Sequence, residues 1–498
     1  MNWITKFSGA LLAVVLLAGC DDQLDQTPVI GFTEATFYQT AEHAEQALVA
    51  AYDPLQWNFT TFNFHFRWFY GDICSDDAIK GGSGVNDQPQ LGLLEDFVAT
   101  PSNTHVNASF EHKYSGIFRA NIVLEKVPEI NMDEDQKARI LAEASFLRAF
   151  YYFELVTLFG GVPMVDHVLT PDEYKIPRAS AEEIWGLIES DLIAAIPDLP
   201  FKSELGAANL GRATKGAARS LLGKAYIYQE KWTDAVSVLA EVVNSGEYTL
   251  DPDYANVFNE AGEHGSGSVF EINRTPLGGG NWGNVNGSLE GNMTNVFQRA
   301  RGQFGGWGFN IPTQDLVDEY ETDDPRLGQS IFMVGDVMGD RGVFTKDATG
   351  QDHDYYSRKY FMTQAEQDLA VGDPLINGIS NDRVIRYADV LLLYAEALAE
   401  SGNEALARQQ VNAVRARARA GAPFILPDVA SSGAQLIDDI RHERRVELAL
   451  EGHRFFDLVR WGLGPTELDG FQAGKHELFP IPLKQIQLNP NLDQNPGY

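Results

Sequence analysis

Apolar residues recur every three to four positions through much of this chain, which commits it to amphipathic helices before any other feature is weighed. In Thr40 to Tyr52 the apolar set is Ala44, Ala47, Leu48, Ala51 and Tyr52, with Thr40 placed to cap the first turn. The same period runs through Phe110 to Val127, Glu134 to Phe159, Ala181 to Ile196, Lys215 to Tyr228 and Trp232 to Asn244. It returns in Val384 to Ser401, Glu404 to Ala420 and Gln435 to Trp461. Leu222-Gly223 with Tyr226, followed by Trp232 and Ala235, matches the spacing of tetratricopeptide helix pairs, in which a small residue lets neighbouring helices close up. Leu393 to Ala397, Gly402-Asn403 and Glu404 to Val414 form a looser copy. Two such units do not bury a core alone, so the other helices are expected to complete one packed body. The predicted fold class is mainly α: a tetratricopeptide-like helical scaffold, an α-α superhelix, with a loop-rich ligand-binding face.

The N-terminus predicts export. Lys6, the apolar run Leu11 to Leu17 and Leu17-Ala18-Gly19-Cys20 have the order of a secretory signal that ends in a lipoprotein cleavage site. The run is too short to span a bilayer, which takes about 18 to 20 apolar residues in a helix. The expected organisation is a signal peptide over 1–19, a lipidated tether over 20–39 with Cys20 as the acylated residue, and a single domain over 40–498. Ordinary signal cleavage with an incidental cysteine is the alternative. Acyl chains contribute about 0.8 kcal/mol per buried methylene, so two or more give stable anchoring.

Composition narrows the partners. The 70 acidic and 38 basic side chains leave a net charge of -32, which disfavours nucleic acid, anionic membrane surfaces and polyanionic ligands. Solubility alone is the competing explanation of the charge. With Cys20 acylated, Cys74 has no disulfide partner, and its acidic setting marks it as a packed small residue rather than a reactive thiol.

Within the domain, the helical body is expected over 40–245 and 384–461, with a loop-rich insert over about 246–380. There Gly, Asn and Asp are dense, helical period is lost and strand-like runs such as Ser268 to Asn273 appear. Aromatic residues in the insert argue for an ordered face rather than a disordered one. Gly278 to Asn286 and Arg301 to Asn310 set Trp282, Phe304, Trp307 and Phe309 among glycines, beside Asn281, Asn284, Arg301, Gln303 and Asn310. A ring displayed by a glycine loop offers a flat face on which the C–H face of a pyranose can rest, while amide and guanidinium groups bond its hydroxyls. The competing role for each ring is to pin its loop to the body.

Catalytic signatures are nearly absent, and neither a cofactor nor a metal is expected. The sequence has no His-Glu-x-x-His helix, Gly-x-Ser-x-Gly elbow or Walker loop. Gly278 to Gly283 matches a dinucleotide fingerprint in letters, but Asn284 to Ser288, directly after it, does not open a helix to receive phosphates. The pairs Asp76-Asp77 and Asp323-Asp324 are adjacent, whereas a glycosidase acid and base sit roughly 5 to 9.5 Å apart across a sugar, so capping or turn roles are expected. Glu443, Glu447 and Glu451 lie one turn apart among Arg441, Arg444, Arg445 and Arg454, the pattern of an ionic network locking the last helices.

Taken together these residues resemble the SusD/RagB-type outer-membrane lipoproteins of Bacteroidota over essentially the whole length. The matching segments are Cys20-Asp-Asp, Leu24 to Pro28, Glu42 to Tyr52, Tyr114 to Asn121, Ala142 to Arg148 with Tyr152-Phe153, and Leu158 to Pro163. Gly211 to Gly216, Arg386 to Val390, Glu443 to Leu448, Gly452 to Leu458, Leu478 to Pro482 and Asn489-Pro490 complete the order. The resemblance implies four tetratricopeptide-like pairs, no enzymatic activity, and a site on the outer face of the outer membrane. It also implies a partner, a SusC-like TonB-dependent transporter, over which such proteins act as a hinged lid. Asp21 and Asp22 are similar to the surface-export signal of these lipoproteins.

Family ligands are usually oligosaccharides held on aromatic platforms from two variable places, here Lys80 to Gln90 and about 280 to 310. The first lacks Trp and Tyr, a departure from the two-platform arrangement. Trp282 and Trp307 are the expected stacking residues, with Phe304 and Phe309 next and Asn281, Arg301, Asp76 and Lys80 as hydroxyl contacts. A neutral glycan such as a laminarin-type β-glucan is expected over alginate. The alternatives are a peptide or other nutrient as ligand, an exported glycoside hydrolase, and a protein-assembly scaffold.

Overall fold

A computed structural model of the chain describes residues 37–60, 63–280, 290–346, 353–419, 421–422 and 424–498. Helix α1 (Ala41–Gln56) opens on Thr40, whose hydroxyl accepts the His43 N–H as the sequence predicts. Helix α2 (Thr104–Lys126) begins a turn and a half earlier than its apolar period, because Asn103 accepts the His105 and Val106 N–H groups. Helix α3 (Glu134–Phe159) is capped by Asp133 and stops at Gly160, which takes a φ of 68°. Helices α4 (Ala181–Ala195), α5 (Lys215–Ile227) and α6 (Trp232–Val243) follow, α4 with a Ser180/Glu183 capping box.

These helices pack as successive neighbours, and α6 meets α7 (Tyr387–Glu400), which pairs in turn with α8 (Glu404–Ala418). The close approach predicted at Gly223 is present: a Cβ there would stand 2.4 Å from Leu239 Cδ2 on α6. The architecture is the expected mainly helical, tetratricopeptide-like one.

Two boundaries differ from the periodic reading. Val384 to Arg386 belongs to a strand, Asp382–Arg386, which pairs antiparallel with Ser268–Ile272; the helix starts only at Tyr387. The Arg-Val-Ile-Arg run fits either period, and the available ladder partner decides it. Gln435 to Trp461 is likewise two helices, α9 (Ala434–Glu447) and α10 (Arg454–Arg460). Leu450 and Gly452 between them have φ of 63° and 76°, which no α-helix accommodates.

The largest core cluster runs through all the packed helices, and a smaller one lies under the insert around Ala300, Phe304, Ile311, Phe332, Met338, Phe344 and Tyr356. Glu443 and Glu447 project from α9 into a buried lattice of arginines. Arg326 bonds Glu443 at 2.6 Å and Glu447 at 3.2 Å, Arg386 bonds Glu447 at 3.0 Å, and Arg415 bonds Glu443 at 2.9 Å. Arg417 completes the set on Glu447, and Lys359 and Arg386 hold Glu451, each at 2.6 Å. Burial raises the Glu447 pKa, but Arg417, Arg386 and Arg326 outweigh it and hold the group well below the ordinary carboxylate range. Among the described residues no helix is long and apolar enough to cross a membrane.

Candidate functional site

A two-stranded ladder joins the edges of the two segments expected to carry the platforms. Ala78–Gly81 pairs antiparallel with Phe309–Pro312, in the register Ala78 to Pro312 and Gly81 to Phe309. Beyond it the Gly82 N–H donates to Gly308 O at 2.6 Å. The fit is tight at the backbone, since a Cβ on Gly81 would lie 2.3 Å from Gly308 O. Arg301 clamps the seam: its Nη1 donates to Trp307 O at 2.6 Å and reaches Asp87 Oδ2 at 3.4 Å. Asp87 in turn accepts the N–H and hydroxyl of Ser83.

Trp307 is partly exposed. Its ring meets Phe297 edge-on at 4.6 Å, and the Trp307 backbone N–H donates to Val296 O at 2.8 Å. Phe297, at the end of the one-turn helix Thr294–Phe297, is fully buried and also contacts Phe64, Phe66 and Phe309. This support is not legible in the sequence as a functional feature. Only the apolar Val296-Phe297 pair within a polar stretch hints at it.

Of the other expected stacking site, Asn281 and Trp282, with Asn284, lie outside the described residues. Before and after them in the chain, Thr275 N–H donates to Glu290 O, and the buried Asn377 amide donates to Gly280 O at 2.9 Å. Leu277 and Val371 are exposed. Four residues past Glu290 the chain enters Thr294–Phe297, whose Phe297 supports Trp307.

Other expected contacts are corrected by burial and pairing. Phe309 is 1% exposed, because Phe309–Pro312 is covered on both faces, and Phe304 fills the small cluster beneath the insert; neither ring is a platform. Lys80 is buried, and its Nζ donates to Gly84 O and Asp87 O, closing its own turn. Asp76 is clamped by Arg454 Nε and Nη2 at 2.8 and 2.7 Å. Burial pushes the Asp76 pKa up, but Arg454 and Arg445 bring it below the usual value. Asn310 is fully buried and bonds Asp72 instead of facing outward. Arg301 keeps partial exposure at the seam, as does Asp76 despite its clamp.

The carboxylate pairs are structural. Asp77 bonds Arg445 at 2.8 Å, and Asp324 caps the helix Pro325–Ser330 while holding Arg326. Cys74 is buried with its Sγ toward Phe69 O and Leu94 O, and burial raises its thiol pKa well above normal. Among the described residues no group of three or more His, Cys, Asp or Glu is arranged to hold a metal ion.

Asp72 lies directly under the seam. Burial pushes its pKa from 3.8 to about 7, against the lowering effect of bonds from Asn310 at 3.0 Å and the Gly452 N–H at 2.7 Å. Between those values the folded state holds a proton that the unfolded state has lost. The associated stability is therefore complete below about pH 4 and is lost as pH rises to about 7, a contribution of roughly 4 kcal/mol at most. Asp72→Asn keeps an acceptor for Gly452, and its NH2 pairs with Asn310 Oδ1 once the Asn310 amide turns over. Urea unfolding from pH 4.5 to 8 is expected to show a shallower fall in the variant. Parallel profiles would mean that Asp72 is ionised throughout.

The fold and seam thus define a helical-repeat body that displays paired loops as a binding face. Two family profiles match the chain: the SusD family over residues 266–477, and starch-binding associating with outer membrane over 63–227. A solved laminarin-binding SusD-like protein is 34% identical, with a TM-score of 0.84, covering 93% of this chain and all of that one. Surface glycan-binding protein A from Bacteroides thetaiotaomicron, solved in complex with laminarihexaose, is 25% identical with a TM-score of 0.80, covering 92% of this chain and 100% of its own. SusD-like protein P38 of Formosa agariphila is 27% identical over 98% of this chain and 97% of its own. The chain belongs to the SusD/RagB family, whose members include carbohydrate-binding proteins associated with the outer membrane.

Proposed function

We propose that this protein is a non-enzymatic, cell-surface lipoprotein that captures oligosaccharides and passes them to a SusC-like TonB-dependent transporter. Cys20 is the lipidated residue and the anchor to the outer membrane. The ligand is a neutral glycan of the laminarin-type β-glucan class. The observation that carries this reading is Trp307, a partly exposed indole backed by Phe297 at the joint of the two segments expected to carry the platforms. The laminarin ligands named for two of the solved relatives favour the same class. A net charge of -32 favours a neutral polymer over alginate.

Trp307 and Trp282 act as stacking residues, with Arg301 and Asn281 bonding hydroxyls. The arginine-bound state of Asp76, Asp77 and Asp324 leaves those pairs unsuited to acid and base roles. Calorimetry with laminarin oligosaccharides is expected to give saturable binding, at least tenfold weaker in Trp307→Ala and in Trp282→Ala, a loss of about 1.4 kcal/mol or more. Alginate is expected not to compete, and the oligosaccharide is expected to be recovered uncut. Unchanged affinity in both variants, or cleavage by the pure protein, overturns the reading.

A further inference from the structure

A continuous relay of polar contacts runs from a buried lysine to the partly exposed indole of Trp307. Lys80 Nζ donates to Gly84 O at 2.9 Å and to Asp87 O at 2.8 Å, so its ammonium sits inside the turn that it closes. The Lys80 backbone N–H is held by Glu95 Oε1 at 3.0 Å. Asp87 Oδ2 then gathers three donors: the Ser83 N–H at 2.9 Å, the Ser83 hydroxyl at 3.0 Å and Arg301 Nη1 at 3.4 Å. The same Nη1 donates to Trp307 O at 2.6 Å, and the Trp307 backbone N–H donates to Val296 O at 2.8 Å. Arg301 reaches both of its acceptors by lying across Gly308, where a Cβ would stand 3.1 Å from Arg301 Cγ.

The links differ in what they stabilise. Lys80 is buried, and its loss leaves two carbonyls of the turn without their donor. The Arg301 and Asp87 side chains are 21% and 26% exposed, and an ion pair that open to water adds little to global stability. Its consequence is local. With Asp87 uncharged, Arg301 is tied to the seam through the Trp307 carbonyl alone, and a long, rotamer-rich side chain has to be ordered when a ligand arrives. Ordering of that kind is subtracted from affinity, whereas a relay already in place before binding avoids it.

We propose that Asp87 and Lys80 are positioning residues of the glycan face, which touch no sugar and act by fixing Arg301 and, through it, the Trp307 peptide. The inference rests on the reading of Trp307 as a stacking residue. It also gives a role to the segment Lys80 to Gln90, which has neither Trp nor Tyr: it contributes a prop for the ring on the other segment instead of a ring of its own.

Three variants test it. Asp87→Asn keeps an acceptor for Ser83 and loses the charge that draws Arg301, Lys80→Met keeps most of the stem and loses the ammonium, and Trp307→Ala removes the ring. In calorimetry with a laminarin oligosaccharide, Asp87→Asn is expected to bind at least fivefold more weakly, with its urea midpoint unchanged. Added to Trp307→Ala, the same change is expected to cost less than twofold, the non-additivity of a residue that acts through another. Amide hydrogen exchange across 301–308 of the free protein is expected to speed up in Asp87→Asn. Lys80→Met is expected to follow the same pattern; should it not fold, Asp87→Asn decides alone. Full affinity in Asp87→Asn overturns the proposal, as does an undiminished fivefold loss in the Trp307→Ala background, which would make Asp87 a direct contact. If the unaltered protein binds no laminarin oligosaccharide, or Trp307→Ala binds as well as it does, the glycan reading itself fails. Exchange across 301–308 then decides the link from Asp87 to Trp307, faster exchange upholding it and unchanged exchange overturning it.

Discussion

Glu447→Ala is expected to lower the unfolding free energy by about 3–5 kcal/mol, the usual cost of removing one partner from a buried ionic cluster. The residue is fully buried and meets Arg326, Arg386 and Arg417 at once. Its loss leaves Arg417 without its carboxylate partner on α9, while Arg326 keeps Asp324 and Glu443 and Arg386 keeps Glu451. Those three arginines come from the insert, the strand before α7, and α8, so the variant loosens the joint between insert and body. The charge also predicts a pH effect. A carboxylate held below its ordinary value of 4.5 stabilises fully above that value and ceases to do so as acid protonates it. Urea unfolding at pH 7 measures the first effect, and a loss below about 1 kcal/mol would mean that water replaces the missing carboxylate.

Phe297→Ala has a comparable cost, about 3–5 kcal/mol for emptying a large aromatic site in a packed core. The ring lies 4.8 Å from Phe64, 5.3 Å from Phe66 and from Phe309, and 4.6 Å from Trp307. Its second effect is on binding, because the indole proposed to carry the sugar loses the surface that fixes its tilt. Laminarin-oligosaccharide affinity is expected to fall at least fivefold in Phe297→Ala and much less in Phe297→Leu, which refills most of the volume. An unstable variant that binds normally would mean that Trp307, placed by its backbone bond to Val296 O, does not need the Phe297 ring to bind sugar.

Much of the scaffold is legible in the sequence because its signals are local. Asp133 and Gly160 bracket α3 at the positions its apolar run predicts, and Gly223 reports the approach of α6. The features that escape a sequence reading depend on partners far along the chain. Asp76 reads as a turn residue or a hydroxyl contact until Arg454, 378 positions away, is seen to clamp it. Phe304, Trp307 and Phe309 share one glycine-rich stretch, and nothing local separates the ring left partly open from the two that are covered. The separation comes from the ladder with Ala78–Gly81 and from the cluster under Phe304. Lys80 misleads for a related reason, since its acceptors are backbone carbonyls of its own turn, to which side-chain patterns are blind.

The seam is joined mainly by peptide groups: the strand ladder, Gly82 to Gly308, and Trp307 to Val296. Joints of this sort are indifferent to most side chains beyond the glycines that allow the approach. New residues can therefore be installed on the rim without rebuilding the chassis beneath. Such a frame suits a lineage that meets many polymers, because its recognition surface can be retailored by point changes while the socket keeps its shape.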